Sequence, residues 1–541
     1  MRHRAFIFAS LLASVAPAAG LEVRTFNADD HERFDSFPVG ATINEDHIFS
    51  AVDLTGVGFR VGTYPTRQCA LISRQHILFA THYFNVSGGL SNGQTVRFLN
   101  ASNVATDRTI GAHAIIQDTG QNSDLVIAQL SAPIDADTGI SPLPYLDLPT
   151  YDDYETSDLG VLGKKLSGNI TTEQVPRIGA GTLANVESTS RTENYGAAGL
   201  LTTRYMRFDF DLPPPPNLNP DDCYPERGDS GSPTFVPVGG TAALVGVHSY
   251  VVTGGDPYEC YDVFVPHYVS ELDAEMLADG YRMRPINAPA TTLDTTTGTV
   301  QPTPRKALPL DFEYEIENTG ANVTGNLEIE FRFDPAEVPD SVSAPGWVTY
   351  GSGTKWTLRK ATLDPAATAT ATATWASAPS VDTLTIDLVR RSDTTADLVQ
   401  SVDVPLAPSF ADWASGLSET GEGDDPDLDG LVNLLEYALG GDPESGVLVF
   451  SDGGPLTPVL DVSAGTVTLT FPERSDKDLR GLSYIPEFSS TLGGWTTTTP
   501  AGFTSTTEAY APAVPGFVKR VLTWDADPDR GFVRVSVELD E

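Results

Sequence analysis

The chain has 541 residues, three cysteines and a formal net charge of −40, from 33 basic and 73 acidic side chains. That excess of negative charge repels phosphate backbones and anionic lipid, which excludes nucleic acid and charged membrane surfaces as partners. The length suits about three to four domains, and past its first residues the chain has no run of the roughly 18 apolar residues a membrane helix needs.

Residues 1–19 read as a secretory signal peptide. Met1-Arg2-His3-Arg4 is a basic start, Ala5 to Ala13 is apolar, and Ala16-Pro17-Ala18 supplies a small-x-small cleavage pattern. The expected location is therefore extracellular, and residues 20–36 are expected to form an N-terminal extension. Ala70 to Tyr83 holds two apolar β-type stretches, the second ending in Ala80-Thr81-His82. This pattern predicts a buried hairpin that delivers His82 at a strand end. In Ser123 to Leu130, Asp124 heads an apolar strand, with Asp107 and Asp118 as nearby competitors. Pro213 to Pro220 predicts a stiff polyproline II excursion.

Next comes Gly228-Asp229-Ser230-Gly231-Ser232-Pro233. A serine between glycines can stand on a tight turn with its hydroxyl exposed, and the peptide N–H groups of Gly228 and Ser230 can point to one spot beside it. Acyl transfer needs that combination of an attacking oxygen and donors for the oxyanion. A histidine base and an orienting carboxylate complete the set, and His82 and Asp124 are the candidates. Of the other histidines, His248 lies in the apolar stretch Leu244 to Tyr250, and none follows an Ala-Thr pair at a strand end.

In order and spacing these three motifs resemble the trypsin-like (chymotrypsin-fold) serine peptidases, over residues 37–285. The resemblance implies an all-β double barrel, protein or peptide substrates and no catalytic cofactor. It makes Ser230 the nucleophile, His82 the general base and Asp124 its partner, with Gly228 and Ser230 as oxyanion donors. It puts Tyr224 at the floor of the primary substrate pocket and Asp262 on its wall, where a carboxylate can recruit a basic side chain. Ser249 falls where a serine supports the aspartate. It also implies a Cys223–Cys260 disulfide and leaves Cys69 free, because the residue after His82 is Tyr83. One feature departs from the family. Many members pair the acid before the serine, here Asp229, with a new Ile-Val-Gly-Gly terminus; the nearest stretch here is Phe37 to Thr42, so what satisfies Asp229 stays open.

Ser270 to Leu277 predicts a helix closing this domain, and the Thr/Pro-rich residues 286–306 predict a linker. Residues 307–408 alternate apolar and charged positions, as in Leu310 to Ile316 and Leu327 to Phe333, which predicts an immunoglobulin-like β-sandwich. Residues 409–446 contain a full D-x-D-x-D-G-x5-E pattern from Asp425 to Glu436. Asp425, Asp427, Asp429, the Leu431 carbonyl, Asn433 and Glu436 form a set of hard oxygen ligands suited to structural Ca²⁺. The segment Phe410 to Pro443 is similar to an EF-hand-like element of secreted bacterial proteins. Residues 447–541 predict a last β-module anchored by Trp495 and Trp524.

Two functional readings follow. One is a secreted serine endopeptidase with accessory β-modules that hold a cell-surface or matrix ligand. The other is an extracellular binding or adhesion protein whose peptidase-like domain is inactive.

Overall fold

The computed structural model of the protein describes residues 20–539 apart from 63–66, 85–88, 167–173, 213–218, 227, 287–292, 295–299, 309–310, 322, 377–382, 392–397, 406–408, 447–456, 511–513, 515 and 527–530. The expected signal peptide, most of the polyproline excursion and much of the expected linker lie outside these residues. The chain is all-β with a few short helices, and it divides into two compact units, Met1–Thr292 and Leu293–Glu541.

In the first unit a short strand β1 (Glu22–Val23) precedes a closed six-stranded barrel. The barrel strands are β2 (Val57–Arg60), β3 (Gln68–Leu71), β4 (His76–Phe79), β5 (Thr95–Leu99), β6 (Ala105–Asp118) and β7 (Gln121–Leu130), hydrogen-bonded in the order β2-β3-β4-β7-β6-β5. A second ring follows, its strands drawn from β8 (Asp158–Leu166), β9 (Gln174–Val186), β10 (Arg191–Asn194), β11 (Leu200–Thr203), β12 (Tyr205–Phe210), β13 (Cys223–Tyr224), β14 (Pro233–Val238), β15 (Thr241–Val252) and β16 (Tyr258–Phe264), with the small hairpin β10–β11 and the short β13 outside it. Its order is β14-β8-β9-β12-β16-β15, and pairing of β14 with β15 closes it. Helix α1 (Val269–Met276) ends the unit and buries Leu272 and Met276.

Strands β4 and β7 explain the continuous apolar runs in the sequence. Successive strand residues point to opposite faces, and here both faces are covered. Ile77 and Phe79 of β4 join Val126 and Ala128 of β7 inside the first barrel. Leu78 of β4 joins Leu125 and Ile127 of β7 in a second core shared with Leu162, Phe235, Leu244 and Val247 of the other ring. Each such aliphatic or phenyl side chain contributes about 1.5–3 kcal/mol when removed from water. The C-terminal end of β4 is thereby fixed between the two rings.

Residues 20–36 are part of this fold, not an extension of it. Glu22 and Val23 pair with Tyr224 and Cys223, and Leu21 is fully buried with its N–H donated to the Lys164 carbonyl. The Phe37 to Thr42 stretch is remote from Asp229: Phe37 packs with Phe34 and Phe59 in a separate small core.

In the second unit, two sheets share one core. The first runs Val300–Leu308, Asp311–Asn318, Thr368–Thr374, Ser341–Ser343, and the second runs Val348–Ser352, Lys355–Lys360, Leu327–Phe333, Thr383–Arg391, Leu398–Pro405. Phe312, Tyr314, Ile329, Phe331 and Ile386 meet between them, which is a β-sandwich. The expected linker is corrected at its C-terminal end, because residues 300–306 belong to the first of these strands and pair with Asp311–Asn318. Two short helices, Phe410–Ala414 and Asn433–Leu439, flank the acidic loop and pack on Leu482, Tyr484 and Leu539 of the last β-module. In that module Trp524 is a buried core residue, whereas Trp495 is half-buried at its edge beneath Arg534.

Candidate active site

Three chain segments meet between the rings. At the end of β4, Thr81–Tyr83 makes one 3₁₀ turn, and the Thr81 hydroxyl donates to the Ser123 carbonyl at 2.9 Å. That bond ties the histidine turn to the residue preceding Asp124. His82 then meets Asp124 twice: its peptide N–H donates to Oδ1 at 2.9 Å, and its Nδ1 lies 2.8 Å from Oδ2. On the other side of the ring, Nε2 lies 2.8 Å from Ser230 Oγ. Asp124 is fully buried, and it also accepts the Ser249 hydroxyl at 2.6 Å. With Nδ1–H donated to the carboxylate, the lone pair of Nε2 faces the serine. That is the tautomer a general base needs.

The serine turn depends on glycine at two places. Gly228 has φ +110° and Gly231 has φ +88°, both in the region that side chains avoid. A Cβ on Gly231 would stand 3.3 Å from the Ala80 peptide nitrogen, so a larger residue would push the serine away from β4 and its histidine. A Cβ on Gly228 would stand 2.6 Å from Lys164 Nζ. Among the described residues, no acceptor takes the N–H of Gly228 or of Ser230, which leaves both donors free for an oxyanion.

Asp229, which the sequence leaves without a partner, is fully buried and held by peptide donors. Lys164 N–H reaches Oδ1 at 2.9 Å and Glu226 N–H reaches Oδ2 at 2.8 Å. Burial raises the Asp229 carboxyl, and the nearby Lys164 ammonium and these donors act against that rise. Lys164 is pushed down to about 8, by burial first and by Arg67 second, against the attraction of Asp229. The Arg67 guanidinium donates to the Gly228 carbonyl and lies over the Tyr83 ring. The serine turn is thus braced from β8 and from the start of β3.

A cleft of ≈ 410 Å³ opens beside Ser230, lined by His82, Tyr195, Glu226, Ser249 and Tyr250 among others. Of the residues assigned to the substrate pocket, Ser249 lies there. Tyr224 stands behind Glu226, packing on Phe210 and Tyr258 and donating its hydroxyl to Glu226 Oε1 at 3.3 Å. Asp262 is corrected outright. It is fully buried inside the second ring, where it accepts from Thr234 Oγ1 and lies 2.6 Å from His248 Nδ1. Against the effect of burial, Asp262 holds His248 above the ordinary histidine range. The acidic residue that lines the cleft is Glu226; its Oε2 is buried and, among the described residues, has no hydrogen-bond partner. Burial, then Glu22 and Asp229, push Glu226 up to about 7.

The expected disulfide is also corrected. Cys69, Cys223 and Cys260 are all buried free thiols. Cys223 Sγ points at the Ala180 carbonyl, 3.1 Å away, across the face of Gly179. Cys260 sits on β16 in register with Phe208 and Val251. Both thiols fill one apolar core and their pKa values rise well above the usual range by burial.

In the acidic loop, Asp425, Asp427 and Asp429 present oxygens that lie within 4.8 Å of one another. Gly430 takes φ +95° at the turn. Asn433 and Glu436 are buried. Asn433 spends its Nδ2 on the carbonyls of Glu419 and Gly421, and among the described residues its Oδ1 has no partner. Glu436 Oε2 and Asp427 Oδ2 are likewise buried and unpartnered.

No family profile and no curated protein matches the sequence. Solved structures similar to the chain include three proteins. A secreted serine protease, VesC from Vibrio cholerae, has 9% identity over 90% of this chain and 98% of its own, with a TM-score of 0.29. A mutant of human heparin binding protein has 16% identity over 41% of this chain and 92% of its own, at 0.29. Neuropsin, a serine protease of mouse brain, has 12% identity over 41% and 94%, at 0.28. At that level of likeness the geometry of the site itself carries any functional argument.

Proposed function

We propose that the protein is a secreted serine endopeptidase. The observation that carries the reading is the continuous hydrogen-bonded line from Ser230 Oγ to His82 Nε2 and from His82 Nδ1 to the sealed Asp124 carboxylate. In this reading Ser230 attacks the scissile carbonyl while His82 takes its proton. Asp124 holds the imidazole orientation and stabilises the imidazolium. The N–H groups of Gly228 and Ser230 receive the oxyanion, His82 returns the proton to the leaving amine, and water then releases the acyl group by the same steps. Glu226, and not Asp262 or Tyr224, is the side chain that meets the substrate residue preceding the cut.

The acidic loop carries the second part of the proposal, a structural Ca²⁺ held by Asp425, Asp427, Asp429, the Leu431 carbonyl, Asn433 and Glu436. Three buried oxygens without partners support it, since an unsatisfied buried acceptor costs about 1–3 kcal/mol. The ion has no part in the chemistry at Ser230. The following helix carries Tyr437, whose hydroxyl accepts from Arg480 and whose carbonyl accepts from Arg474, so an ion here clamps the last β-module through that helix. In this reading the β-modules serve retention at a cell surface or matrix.

The test is labelling of the purified protein with a serine-directed fluorophosphonate beside its Ser230→Ala variant. Labelling that disappears in the variant supports the endopeptidase. Absence of labelling in both would move the assignment to the extracellular binding protein.

A further inference from the structure

The hairpin β10–β11 touches the His82–Asp124 pair at two points and reaches it through Ser249 at a third. Tyr195, at its tip, lays its ring on the imidazole of His82, with centroids 4.7 Å apart and planes 20° from parallel. The Tyr195 hydroxyl lies 2.5 Å from Ser249 Oγ and 2.9 Å from the hydroxyl of the buried Tyr205. Thr203, the last residue of the hairpin, accepts the peptide N–H of Asp124 at 2.8 Å. The tip is closed by one bond, with Tyr195 N–H donated to the Gly199 carbonyl, and Gly199 takes φ +81°.

The direction of the hydroxyl chain follows from donor counting. Ser249 has one proton and donates it to Asp124 Oδ2. Tyr195 must therefore donate to Ser249, and Tyr205 to Tyr195. Burial, together with the charge of Asp124, holds Tyr195 in its protonated, donating form. Three hydroxyls thus line up toward one carboxylate, an arrangement in which each bond strengthens the next.

We propose that Tyr195 is a positioning residue for His82: its ring fixes the plane of the imidazole and its hydroxyl, through Ser249, disperses the charge on Asp124. The proposal rests on the endopeptidase reading, and it adds a residue from an otherwise unassigned hairpin to the machinery. The groups facing the imidazole are Asp124 from β7, Ser230 from the serine turn, Tyr83 from its own turn with Arg67 over that ring, and Tyr195 from the hairpin. The two parts of Tyr195 act on the imidazolium with opposite sign. Without the hydroxyl, Asp124 keeps its charge more to itself and stabilises the imidazolium more. Without the ring, the imidazolium loses an aromatic face that attracts cations.

The test compares wild type with Tyr195→Phe and Tyr195→Leu. Tyr195→Phe keeps the stack and the fold; we expect kcat to fall about 3- to 10-fold with KM unchanged, because Ser249 loses the hydrogen bond that holds it on Asp124 and the looser positioning of the imidazole outweighs the gain in imidazolium stabilisation. The acid limb of its kcat/KM profile moves to higher pH. Tyr195→Leu lowers kcat further, and its acid limb lies below that of Tyr195→Phe. Wild-type kcat and an unmoved acid limb in both variants would overturn the proposal, as would a loss confined to KM, which would make Tyr195 a wall of the cleft. The low-field proton resonance of His82 Nδ1–H gives a readout independent of turnover. If its titration is unchanged in Tyr195→Phe the proposal fails, whether or not the wild type hydrolyses peptides. If the wild type does not react with fluorophosphonate while that resonance still shifts, the endopeptidase reading fails and the positioning contact stands.

Discussion

The serine site and the acidic loop are both clusters of polar side chains, but they are finished in different ways. Around Ser230 the protein supplies the partners of the two carboxylates that hold the imidazole and the turn: Asp124 takes two bonds from His82 and one from Ser249, and Asp229 takes two from peptide N–H groups, while Glu226 on the cleft wall keeps one oxygen unpartnered among the described residues. In the loop, Asp427, Asn433 and Glu436 leave buried oxygens with nothing to accept from among the described residues. A reaction centre must hold its geometry before the substrate arrives, because preorganised dipoles cost no rearrangement during the reaction. An ion site gains by remaining incomplete, since the ion is the missing partner.

The contrast breaks most visibly at Asp124. Asp124→Asn keeps the shape of the site but reverses the required tautomer of His82, and kcat is expected to fall about 10⁴-fold with the fold intact. A fall below tenfold would mean that the Asp124 charge is not part of the chemistry. The next largest effect belongs to the loop. Chelation of Ca²⁺ should lower the stability of the second unit by about 2–3 kcal/mol, as expected for an ion present at some hundredfold over its dissociation constant. Fluorophosphonate labelling of Ser230 should be unaffected. Calorimetry with and without chelator decides it, and an unmoved transition would remove the ion from the proposal.

A self-contained serine site also needs no covalent brace. Denaturation without reductant should expose three thiols to a colorimetric reagent, and a count of one would restore a Cys223–Cys260 bridge. The smallest effect is a pH slope from Glu226. Its folded pKa of about 7 lies above its ordinary value of 4.5. The folded protein therefore binds the extra proton, and the stabilisation this gives is full below pH 4.5 and lost as pH rises to about 7. In Glu226→Gln the stability curve should be flatter across that window, and an identical slope in both proteins would show that Glu226 ionises freely.

The parts of the site that were legible in the sequence share a local signature. His82 follows an apolar strand, Asp124 precedes the apolar run of another, and Ser230 lies between two turn glycines, so local patterns marked them as candidates and the order of the three motifs singled them out. The residues read by position alone fared differently. Counting along β16 places Asp262 near the cleft, but a strand residue faces one side or the other, and the pairing of Asp262 with His248 turns it inward. Counting back from Ser230 finds Tyr224 but not Glu226, two residues further on, which lines the cleft. The cysteine pairing failed for a similar reason, since two thiols in one core are not two thiols in bonding geometry. Tyr195 carries only a hairpin signal, a tyrosine before Gly196 and Gly199. Its place on His82 is decided by how β10–β11 folds back between the rings.

The pairing of Glu22–Val23 with Cys223–Tyr224 has a practical consequence. Leu21 is sealed in the core, and the Gly20 N–H reaches the carboxylate of Glu226, which lines the cleft. The main chain at Gly20 therefore lies beside Glu226 on the wall of the cleft. An affinity tag fused directly to Gly20 would start beside Glu226, whereas one placed after Glu541 belongs to the other compact unit. Recombinant protein intended for activity measurements is best carried by its C-terminus.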